Sequence, residues 1–347
     1  MTDATSTMTQ KLAAAAGPHP AAIVAQFRNS GDGAETYETA SLGFAETGHA
    51  VPLTDTTHCE VGSVSKTYTA LMLAVLCVRG ALTLDDRVDR YLPMRQRGAD
   101  RMTLRHLATH TSGLPFHPPG LRRRAIRSWN VNPYATFDAG DVLPALTRTR
   151  LRSQPGSRQQ YSNFGVGLLG RIMEMATGGT YARLLDDLVV RPLGLADTTA
   201  DPCTPQATGH WRGRTRPPAA LPGLPGAGVV RSSARGLIRH MRCLMNPDAC
   251  TDDPELRKAL GLVLRPDGPD ARTPPLIWNR RTTATGRTVH YHGGGTRGFT
   301  AFIGFSIEPG LAYAALTNNN PDRRNAFVNH AYAHLHQQIE AAPSRRG

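Results

Sequence analysis

The sequence contains a serine and a lysine at a spacing that permits proton transfer between their side chains. Lys and Arg total 40, only three of them are lysines, and one of these, Lys66, follows Ser63 by three positions. Arginine keeps its proton in a protein, whereas a buried lysine can lose it and act as a base. A neutral amine beside a hydroxyl can accept the hydroxyl proton as the oxygen attacks a carbonyl. The spacing therefore predicts a serine nucleophile and an acyl-transfer enzyme.

A helix is the element that would position this pair. Apolar residues recur at helical spacing between Ser63 and Arg79, and Gly80 is a suitable residue to end the helix. Residues three apart share one helix face, and a helix N-terminus favours negative charge. Burial and this positive end would both lower the pKa of Lys66. The competing interpretation makes Ser63 a simple helix cap and Lys66 a solvated first-turn residue.

Four segments occur in an order that extends the serine–lysine pattern: Glu60–Thr67, Leu104–Pro115, Tyr161–Asn163 and His292–Phe299. Together they resemble the motifs of the serine β-lactamase and penicillin-binding superfamily, and specifically its class C β-lactamase and esterase branch. The resemblance covers about residues 20 to 335. It implies an α+β fold in which an antiparallel β-sheet is flanked by helices and carries an inserted all-α region.

The resemblance also implies roles for residues outside the first motif. Tyr161 matches the tyrosine that shares general-base and general-acid work with the lysine, and the ammonium of Lys66 would draw down the pKa of its phenol. Asn163 matches the asparagine that holds the lysine and binds the acyl-side oxygen of the substrate. The alternatives are that Tyr161 is a packed core aromatic and that Asn163 caps the following helix.

The fourth segment departs from the pattern of its family. His292, Gly293 and Gly294 stand where β-lactamases and cell-wall transpeptidases carry Lys-Thr-Gly. The permanent cation and the hydroxyl that would bind a substrate carboxylate are missing, so esterases, aminohydrolases and acyltransferases fit better. His292 could still donate a hydrogen bond, shuttle a proton or be purely structural. The glycines let the strand backbone approach a substrate, and the N–H groups of Gly295 and Ser63 would form the oxyanion hole.

The remaining patterns predict how the chain is organised. Turn residues near positions 29–33 and 46–48 indicate a β-hairpin, and paired strands are expected near 299–307 and 311–317. Residues 1–18 are expected to be a disordered tail, 19–84 with 229–347 a sheet domain, and 85–228 a helical domain. Helices are predicted near 103–107, 141–150, 163–177, 181–190, 232–245 (capped by Ser232) and 322–340. The long loops 115–137 and 201–228 are expected to be lids or pocket walls.

Composition limits the partners of the protein. The formal charge of +13 rests almost wholly on arginine, which a coding bias explains as readily as an anionic partner. The basic run Arg122–Arg124 has no aromatic residues around it and no nucleic-acid motif, so no nucleic-acid partner is expected. His106 and His110 have helical spacing but no HExxH pattern, and no cofactor or metal is predicted.

Cysteine usage and the N-terminus point to a cytoplasmic protein. The five cysteines include no CxxC pair and are expected to be mostly free thiols in a reducing compartment. Residues 1–20 lack the features of a secretory signal, and the longest apolar stretch, 71–78, is too short to cross a membrane. No membrane partner is therefore expected.

These observations predict a Ser63 acyl-enzyme that works on an ester, thioester or amide of a small intracellular metabolite. If water releases the acyl group the protein is an esterase or amidase, and if an amine or alcohol does so it is a transacylase. An anionic donor such as a coenzyme-A or carrier-protein thioester is one hypothesis. The alternatives are a β-lactamase or a D-amino-peptidase or amidase, and a non-catalytic binding protein of the same fold.

Overall fold

A computed structural model of the protein describes residues 3–16, 21–29, 34–46, 51–92, 99–268, 273–321 and 324–343. Within these ranges, helices and strands occur near both ends of the chain and in its middle. The α-helices are Asp3–Ala15 (α1), Ser65–Val78 (α2), Leu104–Ala108 (α3), Leu121–Arg124 (α4), Ala139–Thr147 (α5), Asn163–Thr177 (α6), Tyr181–Leu185 (α7), Ala234–Met245 (α8), Pro254–Leu264 (α9) and Ala326–Ala341 (α10). The strands are Ala22–Asn29 (β1), Glu35–Leu42 (β2), Cys59–Glu60 (β3), Thr198–Thr199 (β4), Gly209–Trp211 (β5), Arg214–Arg216 (β6), Arg231–Ser232 (β7), Asn279–Thr282 (β8), Thr288–Gly295 (β9), Thr300–Ser306 (β10) and Leu311–Thr317 (β11).

One antiparallel sheet joins the two ends of the chain. Its strand order is β2-β1-β11-β10-β9-β8, so the N-terminal hairpin lies beside strands from the C-terminal part. The predicted hairpin is confirmed, with Ala22 opposite Leu42, while its turn at 30–33 falls outside the described residues. The predicted α+β class with a helix-flanked antiparallel sheet is confirmed. The division into domains at residues 84 and 228 stays a prediction.

The buried strand β11 explains why helices cover both faces of the sheet. All seven of its residues are buried, and successive side chains of a strand point to opposite faces. Its Ala312, Ala314 and Leu316 belong to the core cluster that includes α2 and α8 residues. Its Leu311, Tyr313 and Ala315 belong to a second cluster, which includes residues of α1 and α10. The sheet is therefore the middle layer of three.

The expectation of a disordered N-terminal tail is wrong for residues 3–16, the part of 1–18 that the structure describes. Residues 3–15 form α1, and the side chains of Leu12 and Ala13 have no exposed surface. Both pack in the cluster that also contains the α10 residues Ala331 and Leu335. Alanine is the strongest helix former, so the Ala-rich composition permits a helix whose apolar residues are then buried by the sheet.

The helical middle follows the predicted order with small changes at the ends. The predicted helix from Ser63 begins as a 3₁₀ turn, Gly62–Val64, and continues as α2. The helix predicted from Ser232 is capped instead by Ser233, which accepts a hydrogen bond from the backbone N–H of Gly236. Ser232 itself lies in β7 and pairs with Cys59.

Some elements were missed from the sequence, and one expectation was too simple. No element was assigned to α4, α9 or β8, although Asp253 followed by Pro254 is a strong start signal for a helix. The inserted region, expected to be all-α, also contains β4, which pairs with β7, and the β5–β6 hairpin. None of the five cysteines forms a disulfide. Among the described residues, no helix is long and apolar enough to cross a membrane.

Candidate active site

Ser63 and Lys66 lie in contact where the 3₁₀ turn meets α2. The Nζ atom of Lys66 is 3.0 Å from the Oγ atom of Ser63. The same amine donates a hydrogen bond to the carbonyl oxygen of Ala227 at 2.6 Å. This carbonyl belongs to a 3₁₀ turn, Pro225–Ala227, that packs against α6. The structure thus brings the predicted nucleophile and its predicted base into contact.

The Lys66 amine is buried without a counter-ion among the residues that the structure describes. Its side chain has no exposed surface, and burial lowers the pKa of its ammonium from 10.5 to about 7. The physical cause is the loss of water around the charge, since no carboxylate of the described residues contributes to this pKa. A substantial fraction of Lys66 is therefore an uncharged amine near neutral pH. Its nitrogen can accept the Ser63 proton in that form.

Tyr161 completes a group of three side chains around the Ser63 hydroxyl. The Lys66 Nζ atom lies 5.2 Å from the centroid of the Tyr161 ring, and the phenol interacts with the Ser63 hydroxyl. Burial raises the pKa of Tyr161 above its usual range, and the neighbouring Ser63 hydroxyl opposes this only in part. The expectation that Lys66 would lower this pKa is wrong, because burial is the largest cause and Lys66 is not among the groups that shift it. Tyr161 is therefore a proton donor near neutral pH.

His110, which the sequence analysis assigned to no site, packs against Tyr161. The two ring centroids are 4.3 Å apart. The Nδ1 atom of His110 accepts a hydrogen bond from the backbone N–H of Ser162, so the ring proton lies on Nε2, which is buried without a partner among the described residues. Burial, then Lys66 and His292, lower the pKa of His110 to about 3. His110 is a neutral ring with an unpaired donor.

His292 has the opposite tautomer. Its Nδ1 atom lies 2.8 Å from the carbonyl oxygen of Gly293 and must donate to it. The Nε2 atom is therefore an acceptor, buried and without a partner among the described residues, and the hydrogen-bond donor predicted for a ligand is not available on this nitrogen. Burial and the charge of Lys66 lower the pKa of His292 to about 4. No permanent cation stands at this position.

The end of β9 provides a second backbone N–H for the site. The Tyr291 carbonyl accepts a hydrogen bond from the Asn279 side chain of β8, and alternate residues of a strand face the same edge. The backbone N–H of Gly295 therefore points toward the same edge. It lies past Tyr291, the last β9 residue that pairs with β8. A Cβ atom at Gly62 would lie 2.5 Å from the Gly295 nitrogen, so the Ser63 turn and this strand are in contact. Two converging N–H groups of this kind suit a tetrahedral oxyanion.

The close contact between β9 and the Ser63 turn also requires a glycine at Gly294. A Cβ atom there would overlap the carbonyl oxygen of Val61 and lie 3.1 Å from the backbone nitrogen of Ser63. Any side chain would push β9 away from the Ser63 turn. The geometry agrees with the prediction that the glycines allow the strand backbone to approach the reaction centre.

Asn163 has a different set of contacts from those predicted. Its Nδ2 atom donates to the Tyr134 hydroxyl at 3.0 Å, and its Oδ1 atom is buried without a partner among the described residues. It forms no hydrogen bond with Lys66, whose amine is occupied by Ser63 and Ala227. The helix-cap alternative is also wrong, since Ser162 caps α6 through the Gly165 N–H. The free amide oxygen leaves Asn163 able to bind a substrate N–H.

A cavity of about 340 Å³ lies beside Ser63. Both long loops predicted as pocket walls contribute to it, and the aromatic part of its wall comes from the segment 115–137. Its lining includes Phe116, His117, Trp129, Tyr134, Asn163, Pro217, Leu221, Gly295 and Arg297. The His117 ring is held by the Tyr134 hydroxyl, 2.7 Å from its Nδ1 atom.

Several residues of the site were not selected from the sequence. His110 and Arg297 lie inside the segments that carry the family resemblance, which was the one available signal for them. Tyr134 lies in a long loop without a motif. The Ala227 carbonyl is a backbone group, and no sequence pattern could have identified it.

Comparison with known proteins assigns the family. The Beta-lactamase family profile matches residues 14–338. The chain therefore belongs to the beta-lactamase family, an enzyme family of serine hydrolases.

The names of individual relatives indicate different activities. The chain is 30% identical over 196 residues to the D-alanyl-D-alanine-carboxypeptidase/endopeptidase AmpH of Escherichia coli, covering 54% of this chain and 49% of that protein. It is 36% identical over 163 residues to Esterase EstB of Burkholderia gladioli, covering 45% and 41%. The chain thus spans about half the length of these curated relatives. Among solved structures, a class C beta lactamase from Rhodobacter sphaeroides matches with a TM-score of 0.74 and 25% identity, over 95% of this chain and 100% of the other.

Proposed function

We propose that the protein hydrolyses an ester or amide of a small molecule through an acyl-enzyme on Ser63. One observation carries the proposal: a fully buried lysine amine, with its pKa lowered to about 7, lies 3.0 Å from the Ser63 hydroxyl. A neutral base at that distance turns a weak hydroxyl nucleophile into a reactive one. The relatives with hydrolase names support the same chemistry.

The side chains divide the reaction into two steps. Ser63 Oγ attacks the substrate carbonyl carbon while its proton passes to Lys66 Nζ, and the N–H groups of Ser63 and Gly295 stabilise the oxyanion. Tyr161, which keeps its proton, donates it to the departing oxygen or nitrogen and is reprotonated by Lys66. A water molecule then attacks the acyl carbon, giving the free acid and returning the hydrogen to Ser63.

The fourth segment favours an ester over a β-lactam or a D-amino acid peptide. His292 is neutral above a pH of about 4, so it supplies no charge for a substrate carboxylate. Gly293 has no hydroxyl that could donate a hydrogen bond to one. The name of the esterase relative agrees with this choice. We propose water as the acceptor because the cavity reaches solvent: Phe116 on its wall is 42% exposed.

Intact-protein mass spectrometry with para-nitrophenyl esters tests the proposal. Wild-type protein is expected to gain the acyl mass transiently and to release free acid, whereas Ser63→Ala gains none. Ser157→Ala is the matched control, since Ser157 is exposed and its hydroxyl bonds only to Gln154.

Three results would count against the proposal. Acylation of Ser63→Ala at the wild-type rate would remove Ser63 from its role. Exclusive formation of amide when an amine is added would replace hydrolysis with acyl transfer. Binding of esters without any acyl adduct or product would favour the non-catalytic alternative.

A further inference from the structure

Arg297 is the cationic side chain among the residues lining the catalytic cavity. It lies two positions after Gly295, so the strand end that holds the oxyanion N–H also holds the guanidinium. Its Nε atom donates to the carbonyl oxygen of Trp129 at 3.0 Å. This single backbone bond fixes the side chain against the aromatic wall. The terminal guanidinium nitrogens have no hydrogen-bond or ion-pair partner among the described residues.

Arg297 lacks the carboxylate partner that some other half-buried arginines of the protein have. Arg105, for example, is paired with both Asp85 and Asp267. Arg297 has no such ion pair among the described residues, although burial lowers its pKa below the usual value and Arg216 acts in the same direction. Taking a guanidinium partly out of water without a counter-ion is unfavourable. An anion that entered the cavity would remove this cost.

The cavity supplies no acid of its own for that purpose. Glu60 is the acidic residue in its lining, and it is only 4% exposed. Its Oε1 atom already accepts hydrogen bonds from the Gln206 side chain and from the Ala219 backbone N–H. Glu60 therefore holds the loop 201–228 in place and is not a partner for Arg297.

A chain of contacts links Arg297 to the wall that carries Asn163. Arg297 bonds to Trp129, whose ring packs edge-on against His117 at 5.4 Å between centroids. The His117 ring bonds to the Tyr134 hydroxyl, and that hydroxyl accepts from Asn163. Asn163 lines the same cavity as Arg297. A substrate acyl chain lying along this aromatic wall would end near Arg297.

We propose that Arg297 binds a carboxylate at the far end of the substrate acyl group, so that the preferred substrates are esters or amides of short dicarboxylic acids. The proposal rests on the proposed Ser63 acyl-enzyme and adds the acyl class. A guanidinium and a carboxylate form paired, charge-assisted hydrogen bonds of fixed geometry. Arg297 is thus a specificity-determining residue, separate from the proton-transfer groups.

The test compares two esters that differ only at the end of the acyl chain. The probes are the mono-para-nitrophenyl ester of glutaric acid and para-nitrophenyl valerate, which has the same chain length without the carboxylate. Wild-type protein is expected to prefer the glutarate ester in kcat/KM. Arg297→Gln is expected to lose about tenfold to a hundredfold on the glutarate ester, mostly in KM, and far less on valerate. Arg297→Lys should recover part of the loss, since it restores the positive charge without the paired hydrogen bonds of a guanidinium.

Arg123→Gln is the matched charge control. Arg123 is exposed and lies outside the cavity lining, so its replacement changes the net charge equally without touching the acyl group. A similar loss on the glutarate ester in this variant would assign the effect to the overall electrostatic field of the protein and overturn the proposal. An equal loss on both esters in Arg297→Gln, with an unchanged melting temperature, would do the same. So would a wild-type protein that does not prefer the glutarate ester.

The outcomes also separate this inference from the proposed function. Valerate hydrolysis by the wild type but not by Ser63→Ala supports the acyl-enzyme even where the glutarate preference is missing. In that case the carboxylate site alone is wrong. Hydrolysis of neither ester would overturn both.

Discussion

The two sides of the catalytic cavity differ in burial and in charge. The proton-transfer side consists of Lys66, Tyr161, His110 and His292. Three of these are nearly sealed, with Lys66 0% exposed, His292 2% and His110 4%, and Tyr161 is half-buried. The binding side lines the cavity and consists of His117, Trp129 and Arg297, which are half-buried, and Tyr134, which is buried. On the proton-transfer side, burial pushes the basic groups toward their neutral forms, whereas on the binding side a guanidinium keeps its charge.

This difference indicates a division of labour. A base must be neutral to accept a proton, and a dry environment provides that without any acidic partner. A group that recognises an anion must stay charged, and an arginine guanidinium does so because its pKa lies far above neutral pH. Substitutions on the proton-transfer side should therefore change kcat and the pH dependence, and substitutions on the binding side should mainly change KM.

The largest effect is expected from Lys66→Met. Loss of the base should lower kcat/KM by about a thousandfold. Wild-type activity should rise as the pH increases through about 7, because Lys66 becomes neutral there, and the residual activity of the variant should lack this rise. Steady-state kinetics between acidic and alkaline pH measure both. Lys258→Met is the control, since Lys258 is exposed; a wild-type profile flat around pH 7 would contradict the role of the buried amine.

The same variant has a second readout in stability. The folded-state pKa of Lys66 is about 7, below its unfolded value, so between these values the unfolded chain holds a proton that the folded chain lacks. Wild-type stability relative to Lys66→Met should therefore increase with pH above about 7, by about 1 kcal/mol per pH unit. It should be lowest below pH 7, where the charge is buried. Urea unfolding of both proteins at several pH values measures the difference.

Gly294→Ala should have an intermediate effect. The added methyl group would overlap the Val61 carbonyl and push β9 away from Ser63, separating the two oxyanion donors. The expected loss is about a hundredfold in kcat. In Gly261→Ala the new Cβ meets nothing within 4 Å in α9, so activity should be unchanged and the melting temperature should rise slightly. A fully active Gly294→Ala protein would place the oxyanion elsewhere.

Tyr134→Phe should have the smallest effect and should act on binding. It removes a hydroxyl that bonds to both His117 and Asn163, which leaves the binding side less ordered. KM for the preferred ester is expected to rise about fivefold, with kcat changed far less. Tyr37→Phe removes an exposed tyrosine hydroxyl bonded to Asp55 and should change neither constant. A loss confined to kcat would contradict the division between the two sides.

The sequence predicted more of the proton-transfer side than of the binding side. Ser63, Lys66 and Tyr161 lie in short motifs whose spacing is local, so their residue types could be recognised directly. The environment of these groups could not be predicted, which is why the direction of the Tyr161 pKa and the contacts of Asn163 were wrong. The binding side consists of loop residues whose neighbours in space are distant in the chain, as with Arg297 and Trp129.

By itself the sequence indicated Ser63 as a candidate nucleophile and Lys66 as its candidate base, and it predicted many of the strands and helices, because helix and strand periodicities and the serine–lysine pair are set by residues close in the chain. Only the tertiary structure decided which groups are charged. The pKa of Lys66 depends on water excluded by segments as distant as Pro225–Ala227, and the tautomers of His110 and His292 depend on single backbone groups beside them. Burial and hydrogen-bond direction are properties of the packed molecule, and the chemistry of this site follows from them.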